Sequence, residues 1–134
     1  MITLKTLADA SAQDVFNQVA FHLLSQGERA VEEVCGACVY LAPDGLRCAA
    51  GCLISDEEYD EAMEWNSWID LVDTELVPNE HADLIIELQN LHDLENPDDW
   101  AGALYELAGK LDLTIDHELN TAMQAYSGER NGDD

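Results

Sequence analysis

The chain has 134 residues, 47% of them apolar, and a formal net charge of −24 from 29 acidic and 5 basic side chains. That length and apolar share support one globular domain over residues 1–134 with a core of its own, and exclude a disordered acidic tail, which is poor in apolar residues. The charge excludes direct binding to nucleic acid or an anionic membrane, because Lys5, Arg29, Arg47, Lys110 and Arg130 are scattered and make no basic patch.

No stretch approaches the roughly 18 apolar residues of a membrane span, and the opening ten residues lack the apolar segment of a secretory signal. A cytoplasmic location is expected. There the four cysteines stay reduced rather than build a disulfide framework.

Residues 11–26 read as a helix. Ala12, Val15, Phe16, Val19 and Leu23 recur on one face, and Gly27 follows as a C-terminal cap. Residues 38–54 read as a short β-hairpin, with "CVYLA" and "LRCAA" flanking Pro43-Asp44-Gly45. Proline presets φ, aspartate suits the next position, and glycine takes the left-handed one. Ser55 and Glu58 form a capping-box pattern that predicts a short helix over 56–64. "SWIDLVDTEL" predicts another helix, ending before Pro78. "NEHADLIIELQNLHDLE" predicts the strongest one, with an apolar arc of Leu84, Ile85, Leu88 and Leu91 and a polar stripe of Glu80, Asp83, Glu87 and Asn90. Asn96-Pro97-Asp98-Asp99 starts a helix that runs to about Gly109. A final helix is expected over 114–127, and 127–134 as a frayed acidic tail. The fold class is mainly α (α+β), with about five helices packed around one hairpin.

The core "CVYLAPDGLRCAAGCLISDEEYDEAME", followed by "HADLIIELQNLHD" and Trp100, is similar to a family of small, acidic, uncharacterised proteins of tailed phages and prophages. The similarity covers roughly residues 12–108. Its pattern is Cys-x-Tyr-x-x-Pro-Asp-Gly-x-x-Cys-Ala-x-Gly-x-Leu-Ile, with a downstream His-x-x-Leu-Ile-x-x-Leu-Gln-x-x-His-Asp. The resemblance implies a phage origin and a role in the host cytoplasm. It carries over no catalytic residues. In the family pattern only the positions of Cys38 and Cys48 are cysteine, so Cys35 and Cys52 are additions.

Cys35, Cys38, Cys48 and Cys52 have the residue types of a tetrahedral zinc site. The nine-residue spacer is short for one, because the turn would hold Cys38 and Cys48 on neighbouring strands. Packing is the expected role, with no cofactor and no metal. A reactive thiol needs electropositive surroundings, which this chain lacks. His81 and His92 lie eleven residues apart on one predicted helix, too far to share an ion, and are expected to bond to caps or backbone. His92-Asp93 could support base chemistry, but adjacent helical residues point apart. No phosphate loop, nucleophile elbow or His-Glu-x-x-His is present, so an enzyme is not expected.

Between Cys48 and Gly109 there are 17 acidic residues and no lysine or arginine. Such a run is often a solvated face, but that surface usually mixes signs. Here the acids form lines on predicted helices: Glu57, Glu61 and Glu64; Asp70 and Asp73; Glu80, Asp83 and Glu87. Helical neighbours three or four apart sit about 5–6 Å from each other, a spacing comparable to that of successive phosphates. The leading reading is a phage-encoded inhibitory binding protein that imitates nucleic-acid charge. Its partner would be a basic host protein that normally binds DNA or RNA, such as a restriction, CRISPR, recombination, topoisomerase or transcription complex. Trp65 and Trp68 are candidate anchors. One alternative is a small-molecule binder, such as a nucleotide-signal sponge, with a pocket at Tyr40, Asp44 and Arg47. Another is a zinc-stabilised accessory module. The oligomeric state is left open.

Overall fold

The computed structural model describes residues 1–32 and 36–131. Its five α-helices are α1 (Ala12–Gln26), α2 (Trp68–Asp73), α3 (Ala82–Leu94), α4 (Trp100–Lys110) and α5 (His117–Asn131). Short 3₁₀ turns lie at Leu7–Asp9, Gly51–Leu53, Glu61–Met63 and Pro97–Asp99. The chain is mainly α, and no described helix is long and apolar enough to cross a membrane.

Helix α1 forms where its local signals place it. The Ser11 hydroxyl accepts the Asp14 amide at 3.0 Å, and Gly27 closes the helix at φ 70° with its N–H on the Leu23 carbonyl. Val15, Phe16, Val19, Ala20 and Leu23 are buried, and α1 packs against α3, α4 and α5. Each large side chain in that stripe contributes roughly 1.5–3 kcal/mol by leaving water, which offsets self-repulsion among the acids. Helix α3 buries the expected arc of Leu84, Ile85, Leu88 and Leu91, and His92 with it. The Asn96 side chain caps the Pro97–Asp99 turn by accepting the Asp98 amide, and that turn leads directly into α4.

The hairpin does not form. Among the described residues, antiparallel pairing is confined to isolated bridges at Leu41–Arg47 and Val31–Cys38. The turn itself is as expected: Gly45 has φ 92° and its N–H reaches the Ala42 carbonyl at 2.9 Å. The ladder consists of Ala42 N–H to Leu46 O at 2.8 Å and Cys48 N–H to Tyr40 O at 3.4 Å, and it goes no further because the Tyr40 amide, its next inward-facing donor, turns to Glu64. The Glu64 carboxylate accepts the amides of Tyr40 (2.9 Å) and Leu41 (3.2 Å), and Gln26 accepts the Arg47 amide (2.9 Å).

The helix expected over 56–64 is a turn followed by the Glu61–Met63 3₁₀ segment. Both capping-box bonds between Ser55 and Glu58 are made. Glu58 also accepts the amides of Leu4 and Lys5, and Asp60 caps a new turn through the Ala62 amide. The box thus ties the N-terminal segment down instead of starting a helix.

Helix α5 begins at His117 and continues to Asn131, so the tail expected from 127 is helical as far as it is described. Arg130 holds that end. Its guanidinium bonds Asp98 (2.7 Å) and the Gly27 carbonyl (3.1 Å), and lies 4.7 Å from the Tyr126 ring centre.

Two glycines give opposite expectations. A Cβ at Gly51 would stand 2.1 Å from the Tyr40 carbonyl oxygen, whereas one at Gly102, inside α4, meets open space. Gly51→Ala should cost about 2 kcal/mol or more, and Gly102→Ala should gain about 0.5–1 kcal/mol. Denaturant midpoints measure both; an unchanged midpoint for Gly51→Ala would contradict the close approach to Tyr40.

Candidate functional site

The acidic residues sort into two groups. Glu57, Glu61, Asp70, Asp73, Glu80 and Asp83 are exposed. Glu64 and Glu87 are not free surface charges. Glu64 is half-buried and takes the Tyr59 hydroxyl at 2.7 Å besides its two amides. Glu87 pairs with the Lys110 ammonium at 2.8 Å. Since 56–64 is not a helix, Glu57, Glu61 and Glu64 do not share a helical line, and Glu80 precedes α3. Only Asp70 with Asp73 on α2, and Asp83 with Glu87 on α3, keep the expected helical spacing.

The scarce bases are spent inside the molecule. Arg47 pairs with Asp56, Lys110 with Glu87 and Arg130 with Asp98, and Arg29 donates to the carbonyls of His92 and Glu95. Four of the five basic side chains are thereby engaged, and among the described residues most exposed carboxylates have no ion-pair partner.

The two tryptophan candidates part company. Trp65 is 69% exposed, while Trp68 is 2% exposed and belongs to the core, with its ring edge-on to Tyr40 at 6.3 Å. Trp68 cannot anchor a partner from that position. Trp65 holds a left-handed φ of 69°, a costly conformation for a bulky residue.

Tyr40, Asp44 and Arg47 do not make one pocket. Tyr40 lines a cavity of about 270 Å³ with Cys38, Glu64, Trp65, Trp68 and Asp93. Arg47 lines a separate hollow of about 700 Å³ with His22 and Cys52, and its guanidinium is occupied by Asp56 and the carbonyls of Gly51 and Ile54. Asp44 is exposed at the turn, where it accepts the Leu46 amide.

Cys35 lies outside the described residues. Cys38, Cys48 and Cys52 are free thiols that do not converge. The Cys48 sulfur accepts the Gly51 amide at 3.3 Å, and Cys52 donates to the Ala49 carbonyl at 3.1 Å. Burial pushes the Cys38 thiol up to about 11 and Cys52 up to about 12, and raises Cys48 as well.

Among the described residues, the group with metal-ligand chemistry is Cys38, His92 and Asp93, whose donor atoms lie within 4.8 Å of one another. The hydrogen bonds oppose its use for a metal. His92 Nε2 faces the Ala30 amide at 3.2 Å, and a backbone N–H can only donate. Nε2 therefore carries the lone pair and Nδ1 the proton, which it donates to Asp93 at 2.6 Å. A metal at Nδ1 would move that proton to Nε2, against the Ala30 N–H.

Adjacent residues on a helix were expected to point apart, yet His92 and Asp93 bond. Burial raises the Asp93 carboxyl, but hydrogen bonds from His92, Gln89 and Cys38 outweigh it and hold the group below its ordinary value. His81 accepts its expected backbone role, with Nε2 2.7 Å from the Ala10 carbonyl. Burial is also the main cause of the lowered His22 value. Sequence reasoning missed Asp93 and Gln89 as cavity residues. The His-Asp pair was visible, but nothing local showed that Cys38 and Trp65 would meet it. Comparison with known proteins returned no matching family model, curated protein or solved structure.

Asp93→Ala leaves the buried His92 Nδ1–H without its partner and should cost about 1–3 kcal/mol at neutral pH. Because the folded carboxyl titrates below the ordinary value of about 3.9, its contribution is complete above that value and fades as pH falls through the lower one. The stability gap between variant and parent should therefore narrow in acid; a pH-independent gap would rule out an ionised Asp93. A second expectation concerns the thiols. At neutral pH, alkylation of Cys38, Cys48 and Cys52, followed by peptide mass mapping, should be slow until the chain is unfolded.

Proposed function

We propose that the protein is a phage-encoded inhibitory binding protein that presents fixed carboxylates to a basic host protein, in the place of DNA or RNA. The observation that carries this reading is the combination of eight exposed acids between Glu57 and Asp83 with bases that are almost all engaged elsewhere. Like charges held without counter-ions raise the energy of the free protein, and a cationic groove relieves it. The carboxylates sit on short, capped segments, as with the reciprocal Ser67–Asp70 capping box of α2. Little backbone ordering then remains to be done on binding. No covalent step is required. Trp65 is the aromatic anchor of this surface, since Trp68 is buried.

Affinity for the basic host protein, once identified by tagged capture, should fall steeply with salt, because carboxylates replace phosphates on a cationic surface. DNA or RNA should compete for the same site. Reversing Glu57, Asp73 and Glu80 together to lysine should weaken binding and leave the fold intact, since no internal hydrogen bond is assigned to these exposed side chains. Asp83 is spared because it lies in the first turn of α3, where a carboxylate favours the helix. Single reversals should cost about 0–1 kcal/mol each. Affinity that is flat from low to high salt would overturn the reading.

A further inference from the structure

Helix α2 turns an apolar ridge toward solvent. Trp65 is 69% exposed, Ile69 46% and Leu76 43%, and Val72 is half-buried beside them. We propose that this ridge docks a cationic amphipathic helix of the basic partner. The helix would cover Ile69, Val72 and Leu76 with its apolar face, while its flanking lysines and arginines meet the nearby carboxylates. This rests on the proposed function and adds the kind of segment that the partner presents.

The apolar strip is continuous. Ile69 and Val72 stand three positions apart on α2, so their side chains are neighbours. Ile69 shares a cavity of about 270 Å³ with Trp65 and Ile86, and Val72 shares a hollow of about 450 Å³ with Leu76, Val77 and Pro78. The ridge thus runs between two depressions. That relief suits helix packing, in which the side-chain ridges of one element enter the grooves of another. Single exposed apolar residues are ordinary, but a connected strip rimmed by polar groups marks an interaction site.

The strip is also fixed in shape before a partner arrives. At one end the Tyr40 hydroxyl donates to the Asn66 carbonyl at 2.7 Å, and the reciprocal Ser67–Asp70 bonds start α2. At the other end the helix closes in a Schellman pattern. The Leu76 amide donates to the Leu71 carbonyl at 2.9 Å, and the Glu75 amide to the Val72 carbonyl at 3.0 Å. Docking on this surface therefore needs little reordering of the backbone.

Charge complementarity selects the occupant. Asp70 and Asp73 lie on α2 itself, Glu75 follows it, and Glu61 and Glu80 lie on the segments before and after. All five are exposed, and none enters an ion pair among the described residues. No lysine or arginine occurs between Cys48 and Gly109. A second copy of the chain would bring 29 acids against 5 bases to this surface, so repulsion opposes it, as it opposes an anionic membrane. A helix with an apolar stripe and basic flanks matches both the strip and its rim.

The test uses the full chain and a synthetic peptide of about four helical turns, made of leucine and lysine with the leucines on one face. The control is its scrambled isomer, which keeps charge and composition but has no apolar face. Trp65 is exposed while Trp68 and Trp100 are buried, so Trp65 emission reports coverage of the ridge. The patterned peptide should move that emission to the blue saturably and bind about tenfold more tightly than the isomer, and the ratio should persist as salt rises. Ile69→Gln combined with Leu76→Gln changes two side chains that are already partly in water, so the variant should fold. It should lose about tenfold in affinity for the patterned peptide and keep the slope of affinity against salt. Tyr105→Gln, at an exposed apolar residue on α4, should change nothing. Equal binding of both peptides to the parent chain, or unchanged affinity in the double variant, would overturn the inference. Self-association of the chain that the double variant abolishes would make a second copy the occupant and overturn it too. Host-protein binding that is steeply salt-dependent and competed by DNA, yet indifferent to the double variant, would remove the ridge alone. Host-protein binding that needs the ridge but is not competed by nucleic acid would uphold the ridge and count against the polyanion reading.

Discussion

A fully buried imidazole needs partners for both ring nitrogens, and at His92 they come from different parts of the chain. Nε2 takes the Ala30 amide and Nδ1 gives its proton to Asp93. The ring also stacks on Trp100 at 5.5 Å. The loop after α1, the end of α3 and the start of α4 therefore meet at one side chain. Arg29 tightens the same junction by donating to the carbonyls of His92 and Glu95. The His92 ring faces apolar packing, while Asp93 turns its carboxylate toward the cavity wall. Core and cavity are thus aligned by a single hydrogen-bonded pair.

The excess of acids shapes the rest of the fold. Backbone N–H groups outside helices and strands need acceptors, which basic side chains cannot supply. Here carboxylates take that role themselves. Glu58 gathers the amides of Leu4, Lys5 and Ser55, and Glu64 gathers those of Tyr40 and Leu41. Each such bond satisfies a backbone donor that would otherwise need a strand or a helix. This explains how the described residues between α1 and α2 hold their places with isolated bridges and short 3₁₀ turns. Arg29, Arg47 and Arg130, in turn, lie where helix ends or turns leave carbonyls free to accept.

The acids thus perform two jobs that look identical in composition. One set is turned inward as staples, and the other faces water. The inward set also polarises the cavity. Trp65 adjoins Glu64 in sequence and lines the same cavity. Its backbone is left-handed, as are those of Glu75, His81 and Asp112.

Local signals determined much of this architecture. Ser11, Gly27 and the apolar stripe between them define α1. The arc of Leu84, Ile85, Leu88 and Leu91 defines the buried face of α3, and Asn96-Pro97 the entry to α4. Those features depend on residues a few positions apart, so they are legible in order along the chain. The Pro43-Asp44-Gly45 turn was legible for the same reason. What followed the turn was not, because Glu64, 24 positions from Tyr40, took the next inward-facing donor of the expected ladder. Periodicity also could not tell that Trp68 packs inward while Trp65 faces water, or that Glu64 serves the backbone while Glu61 does not. Those choices depend on which distant amide or ring lies opposite, and a distant partner leaves no mark in the local pattern. The meeting of Cys38, Asp93 and Trp65 around one cavity was settled by tertiary packing alone, since their charges and shapes acquire a common purpose only once α2 and α3 fold against the 38–40 segment.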